Sequence, residues 1–466
     1  MYAAEEPFWG KTLRLIRDIW VSGDAEELKD KVRPNLPDSD LSRLRAAINA
    51  CLEGRGGEVS ARARAAQLGR AYLVLDPEGR QRFLELLVKE YDVDDAAVDT
   101  AIEKRNAALE SDELYTANLE LRDLLEPPRA RLLRQFNELK EGVKFLVDLR
   151  AELLSMVKEN PSLRPLDKDV LRLLVSWFDI GFLDLQRITW STSAAILEKL
   201  IEYESVHAIS SWKDLKNRLR DDRRCFAFFH PRMPDEPLIF VEVALVNGIS
   251  GNVGELLDVD APVGDPEKAD TAIFYSISNC QRGLAGVSFG NFLIKRVVAD
   301  LVAKLPNLKT FSTLSPIPGF MQWLTTTTEP LGLSKNEQEL WDTVAAAENP
   351  REYMKELIAG DTEENGQVVE AALLKEILMK LCARYLVESK KGSQALDRVA
   401  HFHLSNGAQI ERINWGGDLT EHGIYQSGGI MVNYLYKLSQ IEKNHELYTG
   451  SGEITISSSV KKLLKS

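Results

Sequence analysis

The stretch TAIFYSISNCQRGLAGVSFGNFLIKRVVADLVAKLPNLKTFSTLSPIPGF, residues 271–320, narrows the possible folds more than any other part of the chain. Its apolar run at 273–278 reads as a buried strand, and Gly283, Gly286 and Gly290 then make a glycine loop. Leu293, Val297, Leu301 and Leu305 follow at helical spacing, and a second apolar strand ends on Ser315. Strand, loop, helix and strand in that order make a βαβ unit, whose strands run parallel and whose crossover is right-handed. Pro316 and Pro318 lock φ and donate no hydrogen bond, so they stop the second strand and fix the turn behind Ser315.

The segments around this unit differ in texture. Residues 1–186 read almost wholly as helix. Asp76 is placed to cap a helix that opens on Pro77 and turns Phe83, Leu84, Leu86 and Leu87 mainly to one side. A further helical stretch starts after Pro127 and Pro128. Such a bundle, without inward histidines or a Glu-x-x-His pair, is the pattern of a packing or oligomerisation module. From about residue 187 strands appear between helices. RCFAFFH and LIFVEVALV, separated by PRMPDEP, predict a hairpin of buried strands. Helical sequence returns from Met321 to about Ser393, and LDRVAHFHLSNGA predicts a short helix capped near Asp397 and closed by Asn406 and Gly407, ahead of another strand.

At 466 residues the chain suggests about two to three domains. A net charge of −13 without a long basic run shows no phosphate-backbone footprint for nucleic acid. Four scattered cysteines, with no CxxC, fit reduced thiols in a cytoplasm and offer no metal framework. The N-terminus lacks the apolar core of a secretory signal, and no apolar stretch is long enough to span a bilayer. The expectation is a soluble, cytoplasmic protein with no membrane or nucleic-acid partner.

Three features carry chemistry, and each has a plain structural alternative. The glycine loop presents bare N–H groups at a helix N-terminus, where a diphosphate would sit; its spacing is neither the Walker nor the G-x-G-x-x-G pattern, so a tight turn is the alternative. Arg282 and Lys295 flank it as phosphate partners or solvated charges. Ser315 either presents a fixed hydroxyl or satisfies its own turn. His403, one turn before Gly407, either does chemistry or complements its helix terminus, and it diverges from His401, which argues against a shared metal.

Taken together, strand, glycine loop, helix, strand, and then a helix ending in Asn-Gly before another strand resemble the acetyltransferase-like (GNAT) fold, which binds acyl-coenzyme A. Many members of that fold carry a tyrosine acid four residues before the helix-ending glycine, and His403 has that spacing from Gly407. More closely, FYSIS, GLAGVSFGNFLIKRVV, FSTLSPIPGF, FHLSNGA and RINW are similar, in order and spacing, to the malonyl-CoA decarboxylase family, as is the helical first half. The resemblance implies an α+β protein: an N-terminal helical bundle at 1–186 for oligomerisation, then an acetyltransferase-like mixed α/β catalytic domain at 187–466 with a helical insertion at about 321–393. It also implies a carboxy-lyase, with catalytic Ser315 and His403. Its malonyl-CoA loop falls on Ala285, Gly286, Val287, Ser288, Phe289, Gly290 and Asn291, and a further active-site aromatic on Tyr436. Some relatives carry an acid where Ser288 stands, so no charge-based role is carried over there.

The reaction so implied converts malonyl-CoA to acetyl-CoA and CO2 through a thioester enolate. It needs no metal or organic cofactor, because the thioester is the electron sink. Ser315 would hydrogen-bond the malonyl carboxylate or share in its proton transfer, and His403 would protonate C2. The rival readings are an acyl-CoA-dependent acyltransferase, for which no convincing base is identified, and a non-catalytic malonyl-CoA-binding sensor. The helical half and the resemblance imply a homo-oligomer.

Overall fold

The computed structural model describes residues 28–54, 57–287, 292–328, 330–359 and 365–465. These fall into two compact units. The first holds the chain up to Leu183 together with two later segments, His230–Glu236 and Gln281–Ser288.

The first unit is helical. Asp76 caps the helix Pro77–Glu90 by accepting from the Gly79 N–H at 2.8 Å, and Phe83, Leu84, Leu86 and Leu87 are buried along it, as the sequence predicts. A helix begins at Pro128, but it does not run on to residue 159. It gives way to a 3-10 turn at Phe136–Glu138, and a new helix, Gly142–Glu159, follows Glu141 at φ 59°. A Cβ on Gly142 would fall inside the contact radius of the Phe136 carbonyl oxygen. The break is therefore a close chain approach that periodicity cannot show.

The second unit is built on a seven-stranded sheet. Its strands are β1 (Asp184–Ile188), β2 (Arg223–Phe229), β3 (Ile239–Val246), β4 (Thr271–Asn279), β5 (Thr310–Thr313), β8 (Gln409–Asn414) and β9 (Met431–Leu435), with a separate two-stranded hairpin of β6 (Lys390–Lys391) and β7 (Gln394–Ala395). The order is β1-β2-β3-β4-β5-β9-β8. β2 and β3 form the predicted antiparallel hairpin, and β4 and β5 are the predicted parallel pair. Leu293, Val297, Leu301 and Leu305, on and just beyond the intervening helix Phe292–Lys304, are all buried. The α+β class, a helical first part followed by a mixed sheet with helices, is thus the observed one. The insertion is helical, with Phe320–Thr326, Lys335–Ala346, Pro350–Ala359 and Asn365–Val387.

Two irregularities shape the centre of the sheet. Between β3 and β4, Glu242 faces Ser276 and Val243 faces Phe274, which leaves Tyr275 as an extra, bulged residue. A bulge bends its strand and increases its twist. Immediately beyond it the parallel pairing stops: the Leu314 N–H still reaches the Phe274 carbonyl at 3.0 Å, but Ser315 bonds to Val432 on β9 through both its N–H and its carbonyl, at 2.9 Å each. The β5 ladder therefore ends two residues earlier than the sequence suggests, because Ser315 has changed partner strand. β4 and the chain after β5 part at this point.

Candidate active site

A cavity of about 390 Å³ occupies that parting. Phe274, Tyr275, Ser276, Ile277 and Asn279 line it from β4; Ser315, Pro316 and Pro318 line it from the turn after β5. Phe402 and His403 come from the helix Arg398–Ser405. Among the described lining residues Arg398 is the one permanent cation, and it is exposed, whereas Ser315 and His403 are 5% and 3% exposed. Open α/β sheets place ligands where neighbouring strands diverge, and this cavity follows that rule.

His403 is set by local sequence. Asp397 caps its helix, accepting from the Val399 and Ala400 N–H groups at 2.9 Å each. Ala400, His403 and Leu404, three and four residues apart, then form the buried face. Gly407 ends the helix at φ 81°, where an added Cβ would collide with the Ile441 backbone. Position 403 is therefore fixed from both ends of a two-turn helix.

The polar contacts form one chain. Ser315 Oγ donates to Thr313 Oγ1 at 2.8 Å and lies 3.2 Å from His403 Nε2, and His403 Nδ1 lies 2.8 Å from the Tyr436 hydroxyl. With the serine's only hydrogen directed to Thr313, Nε2 must donate to Ser315. Burial holds the imidazole neutral by lowering its pKa from 6.5 to about 3, so Nδ1 must accept from Tyr436. The Tyr436 phenol is in turn pushed well up by burial, and it keeps its proton. The Tyr434 ring stacks on His403, with centroids 4.6 Å apart, and its N–H donates to Thr313 Oγ1 at 3.1 Å. The arrangement holds a hydroxyl and a neutral imidazole N–H side by side on the wall of a mostly uncharged cavity.

Of the residues singled out from sequence, Ser315, His403 and Tyr436 come together. Ala285, Gly286 and Val287 lie in a segment grouped with the first unit, with Gly286 at φ 85°. Ser288, Phe289, Gly290 and Asn291 lie outside the described residues. Arg282 donates to Ser155 Oγ at 3.2 Å, and Lys295 is exposed on its helix. His401 bonds Tyr448 at 2.8 Å, apart from His403, and no cluster of metal-ligating side chains occurs among the described residues. Sequence reasoning missed Thr313 and Tyr434. Tyr434 was within reach, since a strand returns to the same face every second residue and Tyr436 is two positions on.

Residues 181–466 match the model of the malonyl-CoA decarboxylase C-terminal domain, and residues 91–178 match that of the malonyl-CoA decarboxylase N-terminal domain. The mitochondrial malonyl-CoA decarboxylase of Anser anser anser is 37% identical over 420 residues, 85% of this chain and 82% of that protein. That of Mus musculus is 35% identical over 466 residues, 94% and 91% of the two chains. The crystal structure of malonyl-CoA decarboxylase from Rhodopseudomonas palustris superimposes with a TM-score of 0.81 at 42% identity, covering 90% of this chain and 99% of that one. The enzyme from Agrobacterium vitis gives 0.80 at 40% identity, with the same coverage.

Proposed function

The chain belongs to the malonyl-CoA decarboxylase family, and from that premise we propose that it converts malonyl-CoA to acetyl-CoA and CO2 with Ser315 and His403 as its catalytic pair. The observation that carries the pairing is the 3.2 Å contact of Ser315 Oγ with His403 Nε2 on the cavity wall. Breaking the bond between C2 and the carboxyl carbon sends its electron pair into the thioester as an enolate, and one proton must then reach C2. His403 Nε2–H delivers that proton as Nδ1 takes the Tyr436 hydroxyl proton, so the ring stays neutral, and solvent then reprotonates the phenolate. When substrate binds, Ser315 turns its hydroxyl hydrogen from Thr313 to the malonyl carboxylate. A neutral hydroxyl suits this task, because a buried cation there would stabilise the ground state more than a transition state in which the charge leaves as CO2.

Residues 285–291 are the proposed coenzyme loop, with the positive φ of Gly286 giving the turn that glycine permits. Arg398, the cation of the cavity lining, is suited to the coenzyme's anionic groups. Residues 1–186 are proposed as a self-association domain, which fits the exposure of Leu109, Tyr115 and Leu125 at 92%, 67% and 54%. The buried free cysteines fit a cytoplasmic setting, and no described helix is long and apolar enough to cross a membrane.

The test is malonyl-CoA labelled in its free carboxyl, incubated with the protein alone. Labelled CO2 and acetyl-CoA are expected in equal amounts. His403→Ala should lower turnover about 100- to 10,000-fold while coenzyme affinity stays within about twofold. Wild-type turnover in that variant removes the histidine from the mechanism, and intact malonyl-CoA that still binds rejects decarboxylation.

A further inference from the structure

Asp397 does more than an N-cap requires. Its Oδ1 accepts from the Val399 and Ala400 N–H groups at 2.9 Å each, and these two bonds complete the cap. Its Oδ2 accepts two further donors from different parts of the chain, at 3.4 Å each. One is the Gly319 N–H, four residues after Ser315, and the other is the Tyr385 hydroxyl on the insertion helix Asn365–Val387. Asp94 caps its own helix through the same two-amide pattern, on Ala96 and Ala97, with an exposed side chain and no such additions.

The surroundings are closely built. A Cβ on Gly319 would overlap the Tyr385 hydroxyl, so a larger residue there would have to push that side chain aside. The Tyr385 ring packs against Phe320 and Trp323 at centroid distances of 5.8 and 5.2 Å, which fixes the helix that begins directly after the turn. Asp397 is 2% exposed, and burial raises its pKa while the four donors oppose that rise. A buried carboxylate costs stability unless its lone pairs are used, and here both oxygens are.

We propose that Asp397 is a positioning residue for the reaction: its carboxylate ties the turn behind Ser315 to the N-terminus of the His403 helix, and the helical insertion supplies Tyr385 as the third support. The proposal rests on reading Ser315 and His403 as the catalytic pair. It gives the insertion a task, since the pair sits on two segments 88 residues apart in sequence and no strand ladder joins the turn to that helix. Asparagine can replace the cap, because its single oxygen serves Val399 and Ala400, but its NH2 group cannot accept from Gly319. Asp397→Asn therefore separates the two roles.

The experiment compares Asp397→Asn, Asp94→Asn, Tyr385→Phe and Ser315→Ala in the full-length protein. It measures kcat and KM for CO2 release, the melting temperature, and the 15N shifts of the His403 ring. Asp397→Asn is expected to lower kcat about 10- to 100-fold with KM within about twofold, to shift the His403 signals, and to melt below Asp94→Asn, because the Gly319 N–H loses its acceptor. Tyr385→Phe should lose kcat in the same sense by a smaller factor, and Asp94→Asn should keep wild-type kcat. Wild-type kcat and ring shifts in Asp397→Asn, beside an inactive Ser315→Ala, overturn the proposal alone. A fully active Ser315→Ala overturns the catalytic reading and the proposal with it.

Discussion

The His403 imidazole shows how one buried residue links the proposed active site to stability. Burial keeps it neutral in the fold by lowering its pKa to about 3, whereas in the unfolded chain it takes a proton near 6.5. The unfolded state then binds more protons across that window, so stability is complete above pH 6.5 and is lost as pH falls toward 3. Going from pH 8 to pH 5 should cost about 2 kcal/mol from this residue alone. His207 and His230 are also lowered by burial, whereas burial raises Glu242 to about 8 and Asp148 to about 6 and these act in the opposite sense, so the difference from a variant is what isolates His403. His403→Gln never charges. Urea unfolding at the two pH values should show the wild type losing about 2 kcal/mol more than the variant. Equal losses would mean that the ring takes up its proton in the fold as readily as in the unfolded chain. The same burial explains why the sequence left this residue ambiguous: its position near a helix end was readable, but the Ser315, Tyr434 and Tyr436 groups around it come from segments distant in sequence.

Elements whose signal is local were readable, and those decided by partners were not. The βαβ order, the parallel pair and the β2–β3 hairpin follow from apolar runs and helical spacing. The bulge at Tyr275, the exchange of strand partner at Ser315 and the break before Gly142 each depend on what lies across from the residue. The His403 helix lies between these cases, because its caps are written in Asp397 and Asn406–Gly407 while the need for glycine comes from Ile441. At φ 81° a side chain is strained, and an added Cβ would also meet backbone, which cannot rotate away. Gly407→Ala should therefore cost about 2 to 4 kcal/mol, more than a strained turn with open space around it. Denaturant titration of the two proteins decides this; a loss below about 0.5 kcal/mol would show that the turn rearranges freely. Gly392, also at positive φ but with nothing near its Cβ position, is the comparison in which only the conformational share of the cost remains.

At the scale of the whole molecule, the first unit is not a segment that can be cut away at a linker. It includes Gln281–Ser288, which the chain supplies between β4 and the helix Phe292–Lys304. Within that unit Arg150 Nη1 donates to the carbonyls of Gly283 and Ala285 at 2.6 Å each, and its Nε pairs with Asp167 at 2.9 Å. Gly283 packs so closely on Val147 that a Cβ would overlap its carbonyl. The other returning segment is held in the same way, through His230 Nε2 and the Trp177 carbonyl at 3.1 Å and the Phe178 ring at 4.7 Å. A chain beginning at residue 184 would keep the sheet, Ser315, His403 and Tyr436, yet leave the Gly283 and Ala285 carbonyls without the guanidinium that holds them. In the fragment water can take the place of the guanidinium, so what is lost is the loop's shape; in the full chain the buried Gly283 carbonyl left without its partner costs about 1 to 3 kcal/mol. Such a fragment should give little soluble protein, and what folds should lack saturable coenzyme binding. Arg150→Ala in the full chain applies the same loss at one point, and it should raise KM for malonyl-CoA about tenfold or more with a smaller change in kcat. Isothermal titration with coenzyme A and steady-state kinetics read both outcomes. A soluble fragment that binds coenzyme A with wild-type affinity would show that the loop takes its shape without the helices, and a normal KM in Arg150→Ala would confine Arg150 to packing.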